Sequence, residues 1–137
     1  KGKDIYETEG YCITCHQESG GGLQAGGYPT LVNQPWVLGN EERLIKLTLN
    51  GLYGPMDVMG IHYEGQVPMM AFRDILKDEE IAAVLTYARN AFGNKASVID
   101  AETATFWKCI SSSSKSFLSN CALADGKSPS SSPTMYT

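Results

Sequence analysis

The chain has 137 residues and a mass of 14.9 kDa, enough for one domain with a sizeable core and too short for two. Eleven Lys and Arg against fifteen Asp and Glu give a net charge of −4, with the two signs interspersed, which argues against a nucleic-acid-binding protein. Apolar runs such as Ile81–Leu85 fall far short of the ~20 residues of a membrane span. Lys1-Gly2-Lys3-Asp4 shows no signal peptide, which fits either a cytosolic protein or a mature chain whose export signal has been removed.

In chain order, Lys3–Tyr11 reads as a short helix, and it runs into Cys12-Ile13-Thr14-Cys15-His16. Ser19-Gly20-Gly21-Gly22 and Gly26-Gly27 then mark a loop able to pass close to a large flat ligand, closed by Tyr28-Pro29-Thr30-Leu31. Asn40 is a suitable cap for a helix from Glu41 to Leu49, with Gly51 at its end and a stripe of Leu44, Ile45 and Leu47. Leu52–Arg73 has little periodicity, contains four methionines (Met56, Met59, Met69, Met70), and reads as a long irregular loop, of the kind that is functional or disordered. Asp78 is expected to cap the strongest helix, with Ile81, Val84, Leu85, Ala88 and Phe92 at helical spacing and Gly93 as terminator. A further short helix is expected at about 101–109, capped by Asp100. Ten serines among the twenty-seven residues after Ile110 leave too little apolar surface to offset the entropy of ordering, so this part reads as a tail. The resulting division is a domain over 1–94 and a C-terminal extension over 95–137.

The C-x-x-C-H of Cys12, Cys15 and His16 is the attachment pattern of haem c. Two thiols one helical turn apart can each add to a haem vinyl group, and the histidine next to them is carried beneath the ring. A zinc ribbon would need a second C-x-x-C, and Cys109 and Cys121 do not form one. A thioredoxin-like pair would follow a strand, whereas Asp4–Tyr11 is polar and helix-compatible. His16 is then the fifth iron ligand. The sixth is sought among the loop methionines and His62, with Met69 and Met70 following Val67-Pro68 and preceding Ala71-Phe72, residues suited to sealing one face of the ring.

The order of helix, C-x-x-C-H, Gly/Pro loop, helix, methionine loop and helix resembles a class I c-type cytochrome over residues 1–94. Gly2 and Tyr6 resemble the family's small-x-x-x-aromatic pattern, with Tyr87 as the aromatic partner on the last helix. The resemblance implies an all-α, cytochrome c-like fold of three main helices and long loops wrapped around one covalent haem, with the Ser-rich extension appended. It implies that the Pro29 carbonyl accepts the His16 Nδ1–H, that Leu31 packs on the ring, and that Trp36 lies at the haem edge with its indole N–H available to a carboxylate. Many members read Met-Pro where this chain has Val67-Pro68; sequences with Val-Pro-Met wording use the methionine after proline, which selects Met69, with Met70 as the alternative. Phe72 is expected beside the ring.

A haem protein matured outside the reducing cytosol would pair its remaining Cys109 and Cys121 as a disulfide. The reading that follows is a monohaem electron carrier, not an enzyme, in the periplasm or another exported compartment, exchanging electrons with donor and acceptor redox proteins. The acidic balance suggests partners with basic docking patches. Two other readings stand beside it. One is a ligand-binding or catalytic haem protein with a labile sixth position; the other is a haem subunit of a larger complex or of a conductive assembly built through the tail.

Overall fold

A computed structural model describes residues 1–111; Cys121 and most of the expected tail lie outside them. Six α-helices and one β-hairpin are formed among the described residues. None of these helices is long and apolar enough to cross a membrane.

The first helix is shorter than the sequence pattern suggests. α1 (Gly2–Glu7) ends as Thr8 N–H bonds the Asp4 carbonyl, and Gly10 N–H turns back to the Ile5 carbonyl at 2.8 Å. Tyr11, in the left-handed region at φ 48°, then starts a separate helix α2 (Cys12–His16). Two breaks in four residues replace the continuous helix expected through Tyr11. A short α3 (Pro35–Leu38) follows the glycine loop. Gln34 caps it by accepting the Trp36 N–H at 2.8 Å, and Pro35 takes the first helical position.

α4 (Glu41–Asn50) starts where Asn40 Oδ1 accepts the Arg43 N–H at 2.9 Å, and Gly51 follows its end at φ 75°. Leu44, Ile45 and Leu49 are buried, whereas Leu47 is half-buried and lines a cavity. The stretch after Leu52 departs from the all-α expectation. Met56–Val58 (β1) and Ile61–Tyr63 (β2) form an antiparallel hairpin, with Asp57 opposite His62. Met59 and Gly60 at its tip have φ of 52° and 79°, the left-handed pair a two-residue type I′ turn needs.

α5 (Asp78–Asn90) begins one residue earlier in the capping sense than expected. Lys77 stands at the cap position and Asp78 is the first helical residue, while the Glu80 carboxylate accepts the Lys77 N–H at 2.8 Å. The helix ends at Asn90, not at Gly93. Phe92, at φ 59°, leaves the helix and packs its ring 5.6 Å from those of Tyr6 and Tyr87. α6 (Ala101–Ile110) is capped by Asp100, whose Oδ1 accepts the Thr103 N–H at 2.7 Å.

The core joins Ile5 and Tyr6 of α1, Ile45 and Leu49 of α4, Ile81 and Leu85 of α5 and Ala104 of α6. α1 crosses α5 at Gly2, where a Cβ would stand 2.2 Å from the Ala83 carbonyl oxygen and 2.8 Å from the Tyr87 Cβ. Only glycine permits that approach, and it sets Tyr6 edge-on to Tyr87 with ring centroids 5.4 Å apart. Arg89, 2% exposed, is the largest fully buried side chain among the described residues. It donates to the carbonyls of Val37 (2.7 Å), Ser97 (2.8 Å) and Gly39 (3.2 Å), to Ser97 Oγ, and to Glu41 at 3.4 Å, so a buried charge ties α3 and α4 to α5.

Two tests follow from these contacts. Gly2→Val forces the α1–α5 crossing apart, and thermal unfolding should show a loss on the scale of overpacking, about 1–3 kcal/mol; an unchanged melting temperature contradicts the close crossing. On the hairpin, the Asp57 carboxylate bonds His62 Nδ1 at 2.8 Å and raises the imidazole above its ordinary 6.5, with Glu64 adding attraction. A raised folded value stabilises the fold below the ordinary value, and the contribution is lost as pH rises through the folded one. An NMR titration should place His62 above 6.5 and Asp57→Asn should bring it down; a wild-type value at or below 6.5 contradicts the pair.

Candidate cofactor site

Helical geometry places Cys12 and Cys15 one turn apart on α2, both half-buried and both free thiols. Burial pushes the Cys12 thiol up to about 11, with a backbone hydrogen bond opposing. His16 closes the helix. Its Nδ1 lies 2.9 Å from the Pro29 carbonyl, and since a carbonyl can only accept, the proton sits on Nδ1 and the Nε2 lone pair is free for a metal. Burial lowers the affinity of the ring for a second proton, and the Pro29 bond opposes this only in part. A neutral imidazole with a fixed tautomer is what ligation requires.

The glycine loop explains how Pro29 is held. Gly20 accepts the Leu31 N–H at 2.7 Å, and Gly22 N–H donates to the His16 carbonyl at 2.9 Å. A Cβ on Gly22 would lie 2.4 Å from the Tyr28 carbonyl oxygen and 2.5 Å from that of Pro29. The loop therefore folds flat over the segment that carries the acceptor, at a position with φ of 67°.

Cys12, Cys15, His16, Pro29, Leu31, Trp36, Met69, Met70 and Phe72 all line one cavity. The structure thus brings these nine expected residues together from four separate stretches of chain. Met69 is half-buried and its backbone is pinned to Leu52 by paired bonds of 2.9 and 3.0 Å. Met70 is 48% exposed. His62 is exposed on the outer face of the hairpin and is not part of the lining. Trp36 Nε1–H donates to the Asp57 carbonyl at 3.3 Å, with the Arg43 guanidinium 4.5 Å from its ring centroid. Sequence reasoning missed Val58 and Tyr63, which with the loop methionine Met56 face the cavity from the hairpin, and it gave Val84, Leu85 and Ala88 of α5 only as a helical stripe, whereas they also line the cavity. The Met59-Gly60 pair between alternating apolar residues was the available signal.

No charged residue lines the cavity among the described residues. The chain's acidic balance lies elsewhere, on solvated faces. An apolar cavity of this kind suits a flat macrocycle, and two thiols beside a metal-ready imidazole supply the attachment and ligand chemistry of haem c. The residues present fit that group.

The family model described as Cytochrome c matches residues 1–91. The chain belongs to the cytochrome c family. It is 39% identical over 87 residues to a cytochrome c-552 of Thermus thermophilus, a match that covers 61% of this chain and 63% of that protein. A second cytochrome c-552 of Thermus thermophilus is likewise 39% identical over 87 residues, and the match covers 56% of its length. The chain spans under two-thirds of the length of these relatives.

The cytochrome c fold is therefore carried here with a hairpin between its helices. Haem c is the cofactor of the family, bound covalently at C-x-x-C-H, and Cys12 and Cys15 fit that attachment. Denaturing mass spectrometry of the purified protein should find the polypeptide heavier by one haem, and Cys12→Ala/Cys15→Ala should abolish the increment; haem that leaves the wild-type chain on denaturation contradicts the covalent bonds.

Proposed function

We propose that this protein is a monohaem c-type cytochrome that carries single electrons between redox proteins in an exported, periplasmic or extracellular, compartment. The observation that carries the proposal is the bond from His16 Nδ1 to the Pro29 carbonyl, 2.9 Å long, on the wall of an uncharged cavity that also contains the two thiols. Haem bound there supplies an iron that gains and loses one electron. The chain's own part is to keep that event free of rearrangement. His16 offers Nε2 in a fixed tautomer, and Met69 is the proposed sixth ligand on a backbone pinned to Leu52. Histidine against methionine favours the reduced state relative to more donating pairs. Apolar walls such as Leu31, Phe72 and Val84 keep water from the iron.

Electrons enter and leave at the rim, where Tyr11, Val67 and Met70 are 63%, 43% and 48% exposed and also line the cavity. All are uncharged, so the contact made there is apolar and small, as brief redox encounters are. The acidic balance of the chain acts at a distance, on approach and orientation. The proposed Cys109–Cys121 disulfide would follow from maturation in an oxidising compartment and contribute about 3 kcal/mol by loop entropy. Cys109 is buried near the end of α6, and Cys121 lies outside the described residues.

Visible spectra, oxidised and reduced, with and without carbon monoxide, test the reading. A low-spin spectrum indifferent to the gas is expected for the wild type and for Met70→Ala, with prompt gas binding by reduced Met69→Ala. Gas binding by the wild type would replace electron transfer with ligand chemistry; gas binding by Met70→Ala alone would move the sixth ligand to Met70.

A further inference from the structure

The segment that carries Met69 continues through Phe72 and Arg73 to Asp78, and it is fastened at three points. At its start is the Leu52 bridge. In its middle, Phe72 N–H bonds the Thr48 carbonyl at 3.0 Å and Arg73 N–H that of Leu49 at 3.2 Å, which fixes the segment along α4. The Arg73 guanidinium then donates to the Lys108 carbonyl at 2.7 Å, to Ser111 Oγ at 2.6 Å and to Asn50 Oδ1 at 3.1 Å. At its end, Asp78 accepts from Lys108 Nζ at 2.9 Å and from Thr105 Oγ1 at 2.8 Å.

Two of these three fastenings reach α6, which lies beyond the residues matched by the family. The acceptors of Arg73 are a carbonyl, a hydroxyl and an amide oxygen, gathered at the C-terminal ends of α4 and α6. Free carbonyls there carry the negative end of each helix dipole, so a cation is favoured. A planar guanidinium can serve several acceptors at once in fixed directions, which an ammonium does not.

We infer that Arg73 is a positioning residue for Met69: it couples the C-terminal helix α6 to the loop bearing the proposed sixth ligand, so that α6 braces the iron–sulfur contact. The inference rests on the proposed ligand role of Met69. Loss of the Arg73 fork frees the Met69–Asp78 segment from α6 at its middle while leaving the Leu52 bridge and Asp78 in place, and the thioether then yields more easily to a competing ligand.

Imidazole titration of the full-length ferric holoprotein reads this, followed by loss of the far-red charge-transfer band that marks thioether sulfur on ferric haem iron. Arg73→Gln should bind imidazole about tenfold more tightly, the scale of a lost hydrogen bond to a charged group, and Arg73→Lys should fall between it and the wild type. Thr86→Val, which cuts the tie of Ile99 to α5 and touches nothing in the Met69–Asp78 segment, should lower the melting temperature yet leave imidazole affinity within about twofold of the wild type. Wild-type affinity in Arg73→Gln, or an equal gain in Thr86→Val, overturns the inference while the wild-type band upholds the ligand assignment. Absence of the band from the wild type overturns the assignment and the inference together.

Discussion

The hydrogen bond between His16 Nδ1 and the Pro29 carbonyl sets the orientation on which the site depends. Without it the imidazole is free to rotate and either nitrogen can carry the proton. With it, one nitrogen is committed and the other points its lone pair at a defined place. Much of the local architecture serves this contact. The breaks around Gly10 and Tyr11 detach α2 from α1 and turn His16 toward the cavity, and the Gly20–Gly27 loop folds back to hold Pro29. The crossing of α1 and α5 at Gly2 then places Tyr6 on the cavity wall, where its hydroxyl donates to the Gln17 carbonyl at 2.7 Å just beyond the histidine.

Around that contact the chain separates charge from the cavity. The lining is uncharged, while carboxylates sit on helix starts and on the outer face of the hairpin. The one deeply buried cation among the described residues, Arg89, is satisfied almost wholly by carbonyls and hydroxyl, with Glu41 at longer range. Such an arrangement places a charge inside the fold without presenting it to the cofactor side. It also ties α3, which carries Trp36, to α5. The chain after Asn94 joins the same network through Ser97 on Arg89 and Ile99 on Thr86, and Ile99 and Ala104 belong to the core.

Features written in a few adjacent residues were legible in the sequence. The C-x-x-C-H motif, the Asn40 and Asp100 caps and the Ile81, Val84, Leu85 and Ala88 stripe of α5 depend on local spacing, and all stand where the spacing puts them. The resemblance to c-type cytochromes added the long-range pairs, Gly2 with α5 and His16 with Pro29, which no single stretch encodes. Less was legible where strands are three residues long and flanked by Gly and Pro, so the hairpin read as loop, and its inward Val58 and Tyr63 were missed with it. The Trp36 indole partner was hidden for the same reason, since it is a carbonyl on β1. The burial of Arg89 was not legible, because a cation in the last turn of a helix is favoured by the dipole at the surface and its partners at Val37, Gly39, Glu41 and Ser97 are distant in sequence. Phe92 kept its core role while leaving the helix, because periodicity records which residues are apolar and not where the backbone turns.

The proposed ligation holds the iron between His16 and a methionine thioether in both oxidation states. X-ray absorption at the iron edge, taken on the oxidised and reduced protein and on Met69→Ala, reads the ligand atoms themselves. A sulfur scatterer is expected at nearly the same distance in both states of the wild type, and its loss is expected in the variant. A first shell without sulfur, or one that gains or loses sulfur on reduction, would contradict it.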